Sequence, residues 1–360
     1  MPVRRSSRSR PVTIVDIARE AGVSASTVSR VLTGSVPVAE QTEAAVRKAL
    51  AQLDYRPNLN AQHLVRGRSM AIGVLTQHPA SSFFGELVTG VELGLRDTPY
   101  HSIYASGHWD RERELEALNL LLGRRVDGVI VLGGSLPDDE LRAVADVTPL
   151  IAVGRSLTGR ASQRLRIENA DGARSVTHHL LQLGHRRIAH LSGAPSQPDA
   201  RERLRGYREA LAEAGVDEDP DLVVEGTFET ESGLEAVTEL LRRTRDVTAV
   251  FAANDNMAWG AQLGLHRHSL RVPEDISLAG FDDHPFSAFA TPPLTTVRQA
   301  HLEIGQAAAR GMLRLLDGKP PRLPAFRTEL VVRESTAPPR PRRRREVAPA
   351  PKRRRSQPDR

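Results

Sequence analysis

Short apolar runs alternate with amphipathic helical patterns along most of this chain, from residue 70 onward. The first series reads AIGVLT, FGELVTGVELGLRD, HSIYAS, RERELEALNLLLGR, DGVIVLG and PLIAVG, and a second begins near Asn169 and ends at SLAGFDD. Strands that alternate with helices are typical of doubly wound parallel sheets. Two such series predict a two-lobed α/β body, with a cleft where the strands present their carboxyl ends.

The composition limits what else the chain can be. Its 360 residues exceed the usual size of one domain. It has no cysteine, which excludes disulfides, thiolate metal sites and cysteine nucleophiles and is typical of a cytoplasmic protein. No run approaches the roughly 18 apolar residues of a membrane helix. The first residues, MPVRRSSRSRPV, lack the apolar region of a secretion signal, so we expect no membrane partner.

The net charge of +6 is unevenly distributed along the chain. Residues 1–69 hold 11 Lys and Arg against 5 Asp and Glu, whereas residues 70–336 hold 29 against 37. A basic head on an acidic body predicts that the head meets a polyanion. Residues 337–360 hold 10 against 2, but they form a Pro- and Arg-rich low-complexity segment for which we expect disorder.

The basic head carries three helical patterns. Thr13 is placed to cap a first helix, which ends before Gly22, a residue that commonly stops helices. Ser24 is placed to cap a second helix with Val28 in its apolar stripe, and a third pattern runs from about Glu40 to Leu53. The tight turn between the first two helices predicts a helix-turn-helix.

The outer face of the second helix is small and polar. Ala25, Ser26, Ser29 and Arg30 point away from its apolar stripe. Small residues allow a helix to enter the major groove of DNA, and hydroxyl and guanidinium groups bond base edges and phosphates. A solvated helix face has the same composition, so the residues alone leave both interpretations open.

Two consecutive segments of the head, TIVDIAREAGVSASTVSRVLTG and VAEQTEAAVRKALAQLDYRPNLNAQHL, closely resemble the DNA-binding head of the LacI/GalR (lac repressor) family. The resemblance covers about residues 12–66. It implies that the second helix reads the major groove, with Ala25, Ser26 and Arg30 at the bases. The DNA-binding residues that it implies are Thr13, Ser24, Ala25, Ser26, Thr27, Ser29, Arg30, Thr33, Tyr55, Asn58, Ala61 and Leu64.

The resemblance also implies a hinge helix at Asn58–Val65, which folds when two protomers meet on DNA. Its Leu64 would enter the minor groove as an apolar wedge and kink the duplex. The head departs from the family pattern at Thr33, where Asn is common, and at Ala39, where a capping Ser or Thr is usual. The arginines of the preceding arm are expected to add phosphate contacts; they are Arg4, Arg5, Arg8 and Arg10.

Polar residues follow two strands of the second series. ANDN places Asn254 and Asp255 after one strand, and GFDD places Asp282 and Asp283 after the next. Side chains at the carboxyl ends of buried strands point into the cleft, although for Asp255 and Asp283 we favour a loop or helix-capping role. No phosphate loop, nucleophile elbow or histidine set at metal-ligand spacing accompanies them, so we expect no catalysis, metal or cofactor.

The body resembles the effector domain of the same family, which is similar to periplasmic sugar-binding proteins. The matching segments are GHRRIAHLSG, RERLRGYREAL, FAANDNMAWGA, VPEDISLAGFDD and PPLTTVRQ. The resemblance implies a polyol site, where charged groups bind hydroxyls and an aromatic ring packs on the sugar. The effector-binding residues that it implies are Phe84, Arg203, Phe228, Asn254, Asp282 and Gln299. Core packing is an equal alternative for Phe84, and Gly154 stands where many members have Asp.

These patterns divide the chain into five segments. They are a basic disordered arm (1–11), a helix-turn-helix domain (12–57), a hinge helix and linker (58–69), an effector-binding and dimerisation domain (70–336) and a disordered tail (337–360). Within the body, we expect the first lobe to comprise residues 70–168 and 293–320, and the second lobe residues 169–292 and 321–336.

The sequence therefore predicts a cytoplasmic, nucleoid-associated transcriptional regulator, most simply a repressor. Two-fold symmetry in a protein is mirrored in its DNA site, so we expect a homodimer on a pseudo-palindromic operator. The expected effector is a mono- or oligosaccharide bound between the lobes. Two alternatives stay open: a plain solute-binding protein, against which the head argues, and an α/β enzyme acting on a sugar or nucleoside through Asp282 and Asp283.

Overall fold

The computed structural model of the chain describes residues 12–33, 36–55, 68–78, 81–154, 164–165 and 167–340. They belong to two compact units, Met1–Ser69 and Met70–Arg360. The first unit is the helical head and the second is the α/β body. Within the described ranges, no helix has the length and apolar character needed to cross a bilayer.

The head is built from α1 (Ile14–Ala21), α2 (Ala25–Thr33) and α3 (Glu40–Gln52). Ile17, Val28 and Val46 are fully buried, and each comes from a different helix. A single small core therefore holds the three helices together, as their predicted apolar stripes require.

Local hydrogen bonds determine where the first helix begins and ends. The Asp16 backbone N–H donates to the Thr13 hydroxyl, and the Thr13 backbone N–H donates to the Asp16 carboxylate at 2.9 Å, which completes a capping box. Gly22 ends α1 in the left-handed conformation at φ 68°, where a side chain would be strained. Ala39 precedes α3 and gives it no side-chain cap, as the departure at this position predicts.

The body contains the two predicted series of strands and helices. Its strands are β1 (Ala71–Thr76), β2 (His101–Ser106), β3 (Gly128–Leu132), β4 (Leu150–Val153), β5 (Arg164–Leu165), β6 (Ile188–Ser192), β7 (Val223–Glu225), β8 (Ala249–Ala252), β9 (Ser277–Ala279), β10 (Thr296–Arg298) and β11 (Glu329–Val331). Its helices are α4 (Ser82–Leu95), α5 (Arg111–Gly123), α6 (Asp138–Ala145), α7 (Asn169–Gln182), α8 (Pro198–Glu213), α9 (Thr230–Arg243), α10 (Asp255–Arg267) and α11 (His301–Leu316). Short 3₁₀ turns lie at Pro220–Leu222 and Pro285–Ala288.

Each lobe is built on a parallel sheet. The strand order is β2-β1-β3-β4-β5 in the first lobe and β7-β6-β8-β9 in the second. The central strands β1, β3, β4, β6 and β8 are buried along their whole length, because helices cover both faces of each sheet. In both sheets the strand order reverses beside the first strand of its series, and a crevice opens at the carboxyl ends there.

Two of the three predicted crossings between the lobes, those near residues 293 and 321, lie later along the chain than the sequence analysis expects. Leu294 and Val297 lie in the cores of the second lobe, although residues 293–320 were assigned to the first. Leu323 and Phe326 pack against the core of the first lobe, although residues 321–336 were assigned to the second. The hydrophobic cores decide these boundaries, because β10 pairs with β11 and both contact α7 while α11 packs on α4.

The end of the body also lies later than expected. The Ala337 carbonyl accepts a hydrogen bond from the Ser277 hydroxyl at 2.9 Å and lies 2.8 Å from His185 Nε2. Arg340 forms an ion pair with Asp275 at 2.8 Å. Residues 337–340, predicted to be disordered, are thus held against the β9 edge of the second sheet. Residues 341–360 lie outside the described residues, as does the arm at 1–11.

Candidate functional site

The first candidate surface is on α2 of the head. Ser24 precedes the helix, and its hydroxyl accepts a hydrogen bond from the Thr27 backbone N–H at 3.1 Å. The same oxygen lies 2.8 Å from the hydroxyls of Ser26 and of Thr27. Ser24 is therefore a helix cap, and three of the clustered hydroxyls interact with one another.

The predicted DNA-reading face of α2 is separate from its buried stripe. Ala25, Ser26 and Arg30 are exposed, and Thr27 and Ser29 are half-buried. This helix can therefore present a small, hydroxyl-rich surface with one cation to a groove, while the opposite side forms the core.

Two of the other predicted DNA contacts, Thr13 and Tyr55, are half-buried. The Thr13 hydroxyl bonds to Asp16 within the capping box, and Tyr55 packs against the core of the head. Thr33 is the last residue of α2. The hinge helix and its residues lie outside the described residues; they are Asn58, Ala61 and Leu64.

A second candidate site is a cleft of about 450 Å³ at the carboxyl ends of the two sheets. The lining residues are His78, Ser81, Phe83, Phe84, Trp109, Asp199, Arg203, Phe228, Glu229, Asn254, Asn256 and Asp282. Gln299 is the one predicted effector residue outside this lining, and it contacts Asp282.

Arg203 is buried in the cleft wall and held by three groups. Its Nε donates to Asn169 Oδ1 at 2.9 Å, its Nη1 donates to the Ala253 carbonyl at 2.5 Å, and its Nη2 lies 3.2 Å from Asp282 Oδ1. The guanidinium also stacks on the Phe281 ring, 3.8 Å from its centroid. The cation is therefore fixed in place before any ligand arrives.

Asp282 is positioned by a strained backbone. Its backbone φ is 109°. Residues other than glycine rarely adopt this conformation, which costs about 1–3 kcal/mol. Its N–H donates to the Val297 carbonyl at 2.8 Å, which holds this conformation. Gln299 Nε2 donates to Asp282 Oδ1 at 2.7 Å, so Gln299 supports the carboxylate instead of lining the cleft. Within the described residues, Asp282 Oδ2 has no hydrogen-bond partner.

Aromatic side chains from both lobes line the cleft, although aromatic residues make up only 4% of the chain. In the first lobe, the Phe84 ring packs edge-to-face on the rings of Phe83 and Trp109, with centroid separations of 4.8 Å and 6.1 Å. In the second lobe, Phe228 packs on Gly193, where a Cβ would come within 2.6 Å of the ring. Rings next to hydroxyl-binding groups suit a ligand with an apolar face and a polar rim.

Asn254 links the cleft to the start of α10. Its Oδ1 accepts the Met257 backbone N–H at 2.9 Å, which caps the helix, and its Nδ2 donates to the Phe228 carbonyl at 2.9 Å. Asn254 therefore fixes the backbone that carries the Phe228 ring, in addition to lining the cleft.

Asp255 has a structural role. Its carboxylate accepts hydrogen bonds from the hydroxyls of Ser287 at 2.6 Å and Thr296 at 2.5 Å, and from the His284 backbone N–H at 2.8 Å. Burial, together with the neighbouring carboxylate of Asp282, raises the pKa of Asp255 to about 7.

Two other charged groups near the cleft are also structural. Asp283 forms ion pairs with Arg298 at 2.7 Å and with Arg333 at 2.6 Å. Glu202 pairs with Arg205 on the exposed side of α8, and so leaves Arg203 to the cleft. Within the described ranges, no group of three or more His, Asp or Glu is arranged to hold a metal ion.

Sequence reasoning missed several residues of the cleft. His78 and Trp109 follow β1 and β2, and Glu229 follows β7, so the carboxyl-end rule could have found them. Asp199 lies four residues before Arg203 on α8, and this spacing places both side chains on one helix face. This helical spacing from Arg203 could have predicted Asp199 as a second cleft residue.

Two family models match the chain. The model for bacterial regulatory proteins of the lacI family matches residues 13–58, and the model for a periplasmic binding protein-like domain matches residues 177–336. Among curated relatives, the HTH-type transcriptional regulator GalR of Escherichia coli (strain K12) is 36% identical over 332 residues, which are 91% of this chain and 96% of GalR. The regulator CelR of Thermobifida fusca is 37% identical over 340 residues, 91% of this chain and 99% of CelR.

Solved structures match over the same extent. The lac repressor dimer bound to operator and the anti-inducer ONPF has a TM-score of 0.82 and 32% identity, covering 91% of this chain and 100% of that one. The complex of CelR with cellobiose has a TM-score of 0.68 and 36% identity, with the same coverage. The likeness in sequence and fold extends through the head and the body.

Proposed function

The chain belongs to the lacI family of bacterial regulatory proteins, and from this membership we propose that it represses transcription as a homodimer on a pseudo-palindromic operator, under the control of a sugar. The relatives support each part: PurR of Haemophilus influenzae, 34% identical, is a transcriptional repressor, the lac repressor was solved as a dimer on operator, and CelR was solved with cellobiose. They are regulators, which argues against catalysis as the main activity of this chain.

We assign operator reading to α2. Ala25 and Ser26 are small and exposed, so the helix can approach base edges closely, and the Arg30 guanidinium suits guanine or phosphate. The excess of Lys and Arg in residues 1–69 supplies the attraction to the phosphate backbone that positions the helix. Because a regulator of this kind acts on chromosomal DNA, we infer that the protein works in the cytoplasm, at the nucleoid.

The observation that carries the sugar assignment is the pair of Arg203 and Asp282 beside aromatic rings. Asp282 Oδ2 is placed to accept hydrogen bonds from hydroxyl groups, while the Arg203 guanidinium, stacked on Phe281, lies 3.2 Å from Asp282 Oδ1 and holds the carboxylate in position. Phe228 and Trp109 offer faces for the apolar side of a pyranose ring. Neither a nucleophile elbow nor a phosphate loop is present in the sequence.

Because residues of both lobes line the cleft, sugar binding there can change the affinity for DNA. Phe84 and Trp109 belong to the first lobe, whereas Arg203, Phe228 and Asp282 belong to the second. A ligand that contacts all of them stabilises one arrangement of the lobes over others. Only such a difference in affinity between two arrangements can change the affinity for operator.

An exposed apolar surface on the second lobe suits a second copy of the chain. Phe289 is 78% exposed, Phe286 is 55% exposed and Leu263 is 45% exposed. Phe286 packs edge-to-face on Trp259 with their ring centroids 5.4 Å apart, and Trp259 lies on α10, the helix that also carries Leu263. Apolar patches of this kind mark interaction surfaces, and the dimeric state of the lac repressor structure supports a homodimer as the occupant.

The test combines DNA selection with sugar titration. A pool of random duplexes is enriched on the full chain, and fluorescence anisotropy then follows its affinity for the enriched duplex while cellobiose or D-galactose is added. We expect inverted half-sites in the enriched sequence and a shift in affinity of about fivefold or more with a sugar. Arg203→Met should abolish the shift, whereas Arg205→Met, on the exposed side of the same helix, should not.

Each half of the proposal can fail separately in this experiment. Enrichment without inverted half-sites would contradict the operator assignment. A fully formed complex whose affinity no sugar changes would contradict the sensor assignment.

A further inference from the structure

Two polar side chains of the first lobe are fully buried behind the cleft wall. Glu114 lies in the first turn of α5, and Gln77 directly follows β1. Neither residue lines the cleft itself. A buried polar group destabilises a fold unless it is hydrogen-bonded, so the partners of these two side chains show what they hold in place.

The Glu114 carboxylate holds the loop that follows β3. Ser135 donates to it from its backbone N–H at 2.8 Å and from its hydroxyl at 2.9 Å, and the Leu136 backbone N–H donates at 3.0 Å. Backbone N–H groups only donate and an ionised carboxylate only accepts, so an amide at this position could not replace the carboxylate fully. The start of α5 is thereby joined to the loop after β3.

The Gln77 amide holds the loop that follows β2. Its Oε1 accepts the Trp109 backbone N–H at 2.8 Å, and its backbone carbonyl accepts a hydrogen bond from the Ser106 hydroxyl. The Trp109 N–H needs an acceptor, so the amide turns its oxygen there and its Nε2 away, toward Gly134. A Cβ at Gly134 would lie 2.9 Å from this Nε2 and 2.7 Å from Glu114 Oε2, so the two buried side chains flank the same glycine.

The loop that carries Trp109 has a strained backbone. His108 and Trp109 are consecutive residues with φ 54° and φ 58°, in the left-handed region that residues other than glycine rarely adopt. Such strain persists only where surrounding contacts hold it. Gln77 accepts the N–H of Trp109, and α5, which Glu114 anchors, begins two residues later at Arg111. We expect the loop to relax when either contact is lost.

The Trp109 ring that this loop positions lies in the first-lobe wall of the cleft. It packs edge-to-face on Phe84, with ring centroids 6.1 Å apart. The backbone at Gly133 also lies against it, since a Cβ there would come within 3.3 Å of the ring. Gly133 begins the loop that Glu114 holds, so both buried side chains act on the same ring.

We propose that Gln77 and Glu114 are positioning residues for effector binding: their hydrogen bonds hold the Trp109 ring in the cleft wall before a ligand arrives. This inference rests on the proposed sugar-sensing function and adds to it residues that do not touch the sugar. A ligand binds tightly only to those molecules in which the ring is already in place, so a mobile ring weakens the apparent affinity in proportion.

The first measurement starts from the protein without sugar. In a Trp259→Phe background of the full chain, Trp109 is the remaining tryptophan, and acrylamide quenching reports how well its ring is shielded. Gln77→Met removes the acceptor for the Trp109 N–H, and Glu114→Gln places an amide donor opposite backbone donors. Both substitutions should increase the quenching of the free protein, and saturating cellobiose or D-galactose should return it to the value of the sugar-bound parent.

The second measurement is the affinity for cellobiose and D-galactose by isothermal titration calorimetry. Each substitution should weaken binding about tenfold, as expected when the ring is in place in about a tenth of the molecules. Trp109→Ala removes the ring altogether. Adding Gln77→Met to Trp109→Ala should therefore weaken binding no further, because residues that act through one group are not additive.

A matched control separates positioning from stability. Asp127→Asn makes the same acid-to-amide change in the first lobe, at a carboxylate that accepts the Met70 backbone N–H at 2.9 Å beside the amino ends of β1 and β3. It should leave both the quenching and the affinity unchanged. The Gln77 and Glu114 variants test the proposal independently, so either one is sufficient if the other does not fold.

The outcomes distinguish this inference from the proposed function. Parent-like affinity in a folded Gln77 or Glu114 variant overturns the positioning role and leaves sugar sensing intact. An equal loss in Asp127→Asn, or a further loss when Gln77→Met is added to Trp109→Ala, overturns it as well, since either indicates general destabilisation. A parent protein that binds neither sugar overturns the sensor function, and this inference with it.

Discussion

Replacing Asp255 by Asn should remove a pH dependence of stability that this one side chain imposes on the second lobe. Asp255 is 1% exposed, and its carboxylate accepts hydrogen bonds from the Ser287 and Thr296 hydroxyls and the His284 N–H. An asparagine can place its oxygen toward Ser287 and His284 and donate from its amide to the Thr296 hydroxyl. It therefore imitates the protonated acid without the ability to ionise.

The size of the effect follows from the pKa. Burial, with help from Asp282, raises the pKa of Asp255 from 3.8 to about 7. The unfolded chain therefore loses this proton at a lower pH than the folded protein does, so the folded state loses stability as the pH rises between these values. The loss levels off above the folded pKa, and about three pKa units correspond to about 4 kcal/mol in total.

The assay follows the second lobe alone. In a Trp109→Phe background, Trp259 on α10 is the remaining tryptophan and reports urea unfolding of the lobe that contains Asp255. Between about pH 5 and pH 7, the stability of Asp255→Asn relative to its parent should rise by up to about 1.4 kcal/mol per pH unit, then flatten. Asp275→Asn is the control, because a hydrogen bond from Arg271 lowers the pKa of Asp275 and its stabilising effect is lost only in more acidic solution.

A stability difference that does not change between pH 5 and pH 7, or that falls as the pH rises, would refute the assignment of a buried, proton-holding Asp255. Equal slopes for the Asp255 and Asp275 variants would refute it as well, since the two carboxyls have opposite pKa shifts.

Three further predictions test other parts of the molecule. Exchanging Ala25 and Ser26 should change which operator is enriched from random duplexes while helix content by circular dichroism stays the same, because both side chains are exposed; an unchanged operator would contradict the reading role of α2. Phe289→Glu should weaken the dimer about tenfold or more in analytical ultracentrifugation, because it places a charge on the apolar face, whereas Val147→Glu, equally exposed in the first lobe, should not. Removing residues 341–360, which hold nine Lys and Arg, should flatten the salt dependence of DNA binding without altering operator preference; an unchanged slope would show that the tail does not contact DNA.

The helical head could be predicted closely because its signals are local. Thr13 with Asp16, and Gly22 after them, mark the ends of α1 through hydrogen bonds that span three or four residues. The buried stripe of α2 follows from a helical period that one helix displays by itself. The assignment of its outer face to DNA came from resemblance, because exposed hydroxyls are equally common on solvated helices.

The cleft could be predicted only in part. Asn254 and Asp282 follow buried strands, and the carboxyl ends of parallel strands meet at one edge. Gln299 supports Asp282 from behind the lining, which depends on how the segment after β10 packs. The lobe boundaries predicted near residues 293 and 321 lie too early in the chain for the same reason. The short strands β10 and β11 are stabilised by pairing with each other, which neither segment shows by itself.

The sequence by itself determined the head, the alternating body and the family, because helix caps, apolar periods and strand runs each depend on neighbours close in the chain. Only the tertiary structure decided which charges share the cleft. Asp199 and Arg203 come from α8, Glu229 follows β7 and Asp282 follows β9, and they meet because two sheets present their carboxyl ends to one crevice. Whether a carboxyl group is paired or open to a ligand depends on burial and on partners that lie far away in sequence.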